Sequence, residues 1–117
     1  MGSLRLVYDA EGDILDLDFR LTRKDSQRGI ELHNNIVLWT NARQTQTLRL
    51  LFLSYTRLCE QSALTLTKLK KLPVRQQTQL LRLLMSEPVK LFLVPVDEKK
   101  LRFRVVAPGV KEVAVAA

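Results

Sequence analysis

Cysteine is nearly missing from this chain. Cys59 stands alone, so no internal disulfide can form, and the usage suits a reducing compartment. Histidine is equally sparse: with only His33, zinc sites built from His and Cys clusters are not expected. The glycines Gly2, Gly12, Gly29 and Gly109 are scattered, which leaves no loop able to cradle a phosphate. Apolar runs such as Leu50 to Leu53 and Val113 to Ala117 are far too short to cross a bilayer, so no membrane association is expected. Met1 to Asp13 has no basic region followed by an apolar core and a cleavage site, and a secretory leader is not expected. These absences favour a cytoplasmic protein.

What remains is the composition of a globular protein. The chain has 117 residues, 46% of them hydrophobic, enough for a core without disulfide or metal. A single domain over 1–117 is expected, with a β-rich meander over 1–60 and a helix plus strands over 61–117. The net charge of +7 is uneven. Residues 1–60 carry eight basic and eight acidic side chains, residues 61–117 eleven and four, so the whole excess lies in the second half. Such asymmetry speaks first to solubility and general attraction for anions.

The organising stretch is Val7 to Phe19. Leu4, Leu6 and Tyr8 lead into a turn over Asp9-Ala10-Glu11-Gly12, after which Leu15, Leu17, Phe19 and Leu21 alternate with Asp16, Asp18 and Arg20. Period-2 alternation across a Gly-containing turn predicts a β-hairpin with one buried face. Thr22 to Arg28 is polar and reads as a loop. Gly29 then opens a second pair of strands around Asn34-Asn35, asparagine being at ease in the left-handed conformation of tight turns. Ile36 to Thr40 is apolar on both faces, Ile36 and Leu38 against Val37 and Trp39. Thr47 to Tyr55 is too, with Leu48, Leu50 and Phe52 against Leu51, Leu53 and Tyr55. Two-sided strands belong in mid-sheet with both faces covered, one by this chain's helices and the other by its C-terminal strands or a further subunit.

Helices are expected next, at about 55–86. Ser54 suits the N-cap of a short helix in which Tyr55, Leu58 and Cys59 share a face. Ser62 to Thr67 alternates like a strand in helical company, and a short helix is favoured over about Thr67 to Leu72. Pro73 is well placed to start a longer one over Val74 to Ser86, with Val74, Leu80, Leu81, Leu84 and Met85 in one stripe and Arg75 and Arg82 opposite. Glu87-Pro88 ends it. Val89 to Val96 and Lys100 to Ala107 read as a C-terminal hairpin, with Pro95 confining its strand to an edge or cutting it short. The fold class is therefore α+β, with an antiparallel sheet from the N-terminal half.

Two constellations resemble chemistry and are better read otherwise. Asp9, Glu11, Asp13, Asp16 and Asp18 lack the glycine and closing glutamate of a calcium loop, and Arg20 sits among them, so a turn and a solvated strand face are expected. A Cys59–His33 nucleophile pair is conceivable, but Cys59 shares an apolar stripe where cysteine behaves as a small hydrophobe. No catalytic residue, metal site or cofactor is expected. The basic set Lys68, Lys70, Lys71, Arg75, Arg82, Arg102 and Arg104 is suited to neutralising phosphates, though only Phe92 and Phe103 lie nearby and no nucleic-acid module fits.

Tyr8-Asp9-Ala10-Glu11-Gly12-Asp13-Ile14-Leu15-Asp16-Leu17, with Gly29-Ile30-Glu31-Leu32 and the strand ending at Ser54, resembles the small bacterial family known as domain of unknown function 2283. The resemblance covers about the first half of the chain. It implies a small antiparallel sheet in a bacterial cytoplasm and brings no catalytic residues. The glycine-rich turn before that family's last strand is missing from Asn41 to Thr47. The sequence as a whole points to a non-enzymatic protein-interaction or self-association module, a homodimer or larger, with Val37, Trp39, Leu51 and Leu53 at the interface. A nucleic-acid-binding accessory protein using the basic second half is the alternative.

Overall fold

Alternation does set the first hairpin. In the computed structural model, which describes residues 5–19 and 27–107, β1 (Arg5–Asp9) pairs antiparallel with β2 (Ile14–Asp18). The turn between them is closed by Asp9, whose Oδ1 accepts the N–H groups of Glu11 at 3.1 Å and Gly12 at 3.3 Å. A Cβ at Gly12 would lie 3.0 Å from Asp9 Oδ2, so the missing side chain leaves room for the carboxylate over the turn. The next three strands are β3 (Gln27–His33), β4 (Ile36–Asn41) and β5 (Thr47–Leu53). β5 runs back between the two hairpins, and the antiparallel sheet has the order β1-β2-β5-β4-β3.

One face of this sheet is dry from β2 across to β3, while Leu6 and Tyr8 of β1 stay exposed on it. Leu15, Leu17, Ile30, Leu32, Ile36, Leu38, Leu48, Leu50 and Phe52 are all buried on it. The second half of the chain supplies the cover: α1 (Tyr55–Glu60), β6 (Leu64–Thr65), α2 (Val74–Leu84), β7 (Leu93–Asp97) and β8 (Arg102–Val105). Leu58, Leu66, Leu69, Leu80, Leu84, Phe92 and Phe103 meet the sheet in one continuous cluster. Burial of each such side chain is worth about 1.5–3 kcal/mol, so this single interface carries most of the hydrophobic stabilisation. The small second sheet, ordered β6-β8-β7, is part of the same cover. The C-terminal strands therefore do not shield the opposite face.

Several boundaries differ from the sequence reading. Gln27 and Arg28 belong to β3 and not to a loop. The short helix expected over about Thr67 to Leu72 is a single 3-10 turn at Leu69–Lys71, preceded by β6. Leu64 pairs with Phe103, so the alternation of that segment did signal a strand, and its apolar residues find a ladder instead of a helix stripe. Val89–Leu91 is also a 3-10 turn, and the strand starts only at Leu93, because Val89, Phe92 and Leu93 are all buried and strict alternation cannot achieve that. Val74 lies outside the α2 stripe, 77% exposed, while Leu80 and Leu84 carry the packing. β7, with Pro95, is an edge strand as expected. Leu21 and the tail after Ala107 lie outside the described residues.

Candidate functional site

The other face of the large sheet is built by the alternate residues, and the register fixes its rows. Val7, Asp16, Leu51, Val37 and Glu31 form one row across all five strands. Arg5, Asp18, Arg49, Trp39 and Gly29 form the next, and Asp9, Ile14 and Leu53 a third. The face is thus divided. Charge collects over β1 and β2, and apolar surface over β5 and β4, where Val37, Trp39, Leu51 and Leu53 stand together. All four are half-buried, and none belongs to the core cluster.

A chain of contacts stiffens the boundary between the two zones. The Trp39 indole lies over Gly29, where a Cβ would come within 3.1 Å of Nε1, so the missing side chain leaves room for this close approach across the strands. The Arg49 guanidinium sits 4.9 Å from the ring centroid, a cation–π contact. Its Nε and Nη2 donate to Asp16 Oδ1 and Oδ2 at 2.9 and 2.6 Å, a bidentate pair. The hydrogen bond to Asp16 outweighs desolvation and holds Arg49 further above its already high ordinary pKa. A shallow cavity of about 280 Å³ opens beside this pair, lined by Arg5, Val7, Asp16, Asp18 and Arg49.

At one end of the sheet the motif residues lock α1 in place. Ser54 occupies the N-cap position but in the left-handed conformation, at φ 54°, and its side chain makes no cap. Asp13 does that work from the first hairpin. Its carboxylate accepts the Thr56 N–H at 3.1 Å and the Thr56 hydroxyl at 2.7 Å, and Tyr8 donates to it at 2.7 Å. These bonds, the Tyr8 hydroxyl first, pull the Asp13 carboxyl below its usual pKa and push the Tyr8 phenol up.

The two residues weighed as a nucleophile pair have separate partners. Burial raises the Cys59 thiol above its ordinary range, only partly offset by the Tyr55 hydroxyl. His33 Nδ1 accepts the Asn35 N–H at 3.1 Å, and burial lowers its pKa. His33 therefore serves the β3–β4 turn, and Cys59 packs partly buried against the core.

The basic set is divided. Lys68 pairs with Glu31 at 3.3 Å. Lys70 and Lys71 are exposed on the 3-10 turn. Arg75 and Arg82 lie on α2 beside the β4–β5 loop. Arg102 and Arg104 lie on β8, with Arg104 close enough to bias the Cys59 thiol of α1. The β4–β5 loop and α1 sit at opposite ends of β5, about 20 Å apart at a rise of about 3.4 Å per residue. The strand and helix arginines thus do not share one patch.

Sequence reasoning missed the glutamines of α2. Gln79 Nε2 donates to the carbonyls of Arg43 at 2.6 Å and Gln44 at 3.2 Å, and Gln77 Nε2 to those of Lys70 and Leu72 at 3.0 and 2.7 Å. A run of neutral amides where a solvated helix would carry charges was the available signal. Compared with protein-family models, with curated proteins and with solved structures, the chain matches none of them. The resemblance drawn from Tyr8 to Leu17 rests on that motif itself.

Proposed function

We propose that this protein is a non-enzymatic self-association module whose copies pair through the outer face of the five-stranded sheet, in the bacterial cytoplasm that the motif implies. The observation behind this reading is the group Val37, Trp39, Leu51 and Leu53, apolar and outside the core on a sheet whose other face is packed from β2 across to β3. Five strands about 4.8 Å apart and about 20 Å long present a face on the order of 500 Å². Two such faces together reach the roughly 1,000 Å² at which specific interfaces begin.

A second copy is the occupant that fits the charges. The face carries both signs, Arg5 and Arg49 beside Asp16 and Asp18, with Arg49 and Asp16 paired within one copy, so a like face meets it with no large excess of either sign. A strongly charged partner would leave one sign opposed. The raised Cys59 thiol and the turn-bound His33 offer no activated nucleophile, in keeping with a module that does no chemistry.

Light scattering at micromolar concentration should give twice the 13.5 kDa of the chain. Val37→Lys combined with Leu51→Lys should reduce the mass to that of one chain while far-ultraviolet circular dichroism is retained. A monomeric wild-type protein would overturn the reading.

A further inference from the structure

A cleft of about 490 Å³ separates the β4–β5 loop from α2. Gln44, Thr45, Arg75, Thr78, Gln79 and Arg82 line it, and Leu83 is its one apolar wall. On α2 these positions recur at spacings of three, four and seven, which places them on one helix face. The volume falls in the range of small-ligand sites, about 300–1,000 Å³. No carboxylate contributes to the lining.

Some of the polar groups are already committed. Thr78 Oγ1 donates to the Val74 carbonyl at 3.0 Å, and Gln79 Nε2 to Arg43 and Gln44. The Thr45 hydroxyl accepts from Asn41 Nδ2 at 2.9 Å. Three donors are left over. Neither Arg75 nor Arg82 has a carboxylate partner among the described residues. The third is Gln44 Nε2, on a side chain whose residue is only 5% exposed, and it is the buried side-chain polar atom left without a partner among the described residues. A buried amide donor without an acceptor is costly. Its side chain, whose Oε1 accepts from Gln76 Nε2 at 3.5 Å, lines the cleft, so a turn of the amide brings the donor to a ligand oxygen.

We propose that the cleft binds a small ligand carrying a polyphosphate chain. Seven residues of helix separate Arg75 from Arg82 by about 10.5 Å along the axis and bring them within about 20° of the same direction. The two guanidinium forks therefore grip the ends of an extended anion lying along α2, and Gln44 Nε2 donates to an oxygen of its middle. A single phosphate reaches only one fork at a time. Bidentate arginine contacts favour phosphate oxygens over a simple point charge. The cleft lies at the β4–β5 loop and does not depend on pairing through the outer face.

Calorimetric titration at constant ionic strength tests this, with sodium tripolyphosphate as the probe and inorganic phosphate and a short oligoribonucleotide as comparisons. Tripolyphosphate should bind, with phosphate at least about tenfold weaker because one of two bidentate contacts is lost. Arg75→Ala and Arg82→Ala should each weaken tripolyphosphate by about tenfold, whereas Lys99→Ala with Lys100→Ala should change it by less than about twofold. Gln44→Glu, which puts a carboxylate where the free donor stands, should abolish binding; if that variant does not fold, the two arginine variants carry the test alone. No binding, equal losses in the lysine and arginine variants, phosphate bound as tightly as tripolyphosphate, or an oligoribonucleotide bound more tightly through the same arginines would each overturn the proposal.

Discussion

Asp13 is the residue on which most local order converges. It ends the first turn at φ 55°, receives Tyr8, and caps α1 through Thr56, forty-three positions later. Its carboxyl is lower in pKa when folded than when unfolded, so the stability it contributes is present above the unfolded value and is lost as pH falls through the folded one. Asp13→Asn keeps an acceptor for the Thr56 N–H and removes the charge. Thermal melts of that variant are expected to lose part of the wild type's decline below about pH 4, and Asp13→Ala is expected to melt lowest at neutral pH. The raised Cys59 thiol leads to a second expectation: iodoacetamide should label it slowly at neutral pH in the native protein and rapidly once denaturant is added. Fast native labelling would contradict the structural role. The turn role of Asp9 was legible, because its partners are two and three residues away. The cap made by Asp13 was not, since nothing in Ser54's neighbourhood announces a donor group that waits for a distant hairpin.

Elements were legible where their period was strict and failed where burial was continuous. The five strands follow from alternation and from turns at Gly12 and Asn34-Asn35. Phe92 and Leu93 are both buried, and a run of that kind is the same in a strand, a turn or a helix. In α2 the periodicity places the leucines correctly, but it gives the side opposite them no packing role. The hydrogen-bonding glutamines show it to be a second packing face, one that holds the β4–β5 loop. Gln79→Ala, which removes the donor to two carbonyls that water can partly replace, is expected to cost about 0.5–1.5 kcal/mol in a urea melt. Leu84→Ala in the buried stripe should cost about 2–5 kcal/mol, and Val74→Ala on the exposed side no more than about 0.5 kcal/mol. Equal losses at Val74 and Leu84 would mean that the helix is rotated from its described orientation.

For the molecule as a whole, the asymmetry between the two faces of the large sheet outweighs any local feature. One face carries the entire core. The other presents Val37, Trp39, Leu51 and Leu53 beside a zone of mixed charge. The alternation in the sequence located that second face, since two-sided strands need two covers, but it could not say that helices and C-terminal strands would gather on the same side. Trp39 is the chain's single tryptophan, so its emission reports on this face without interference. The decisive measurement follows that emission and the scattering mass together as the protein is diluted from micromolar to nanomolar concentration. Pairing through the face requires the emission to move to longer wavelength in step with a fall from twice 13.5 kDa to one chain. An emission that stays constant while the mass halves would put the interface elsewhere, and a single-chain mass at every concentration would contradict self-association altogether.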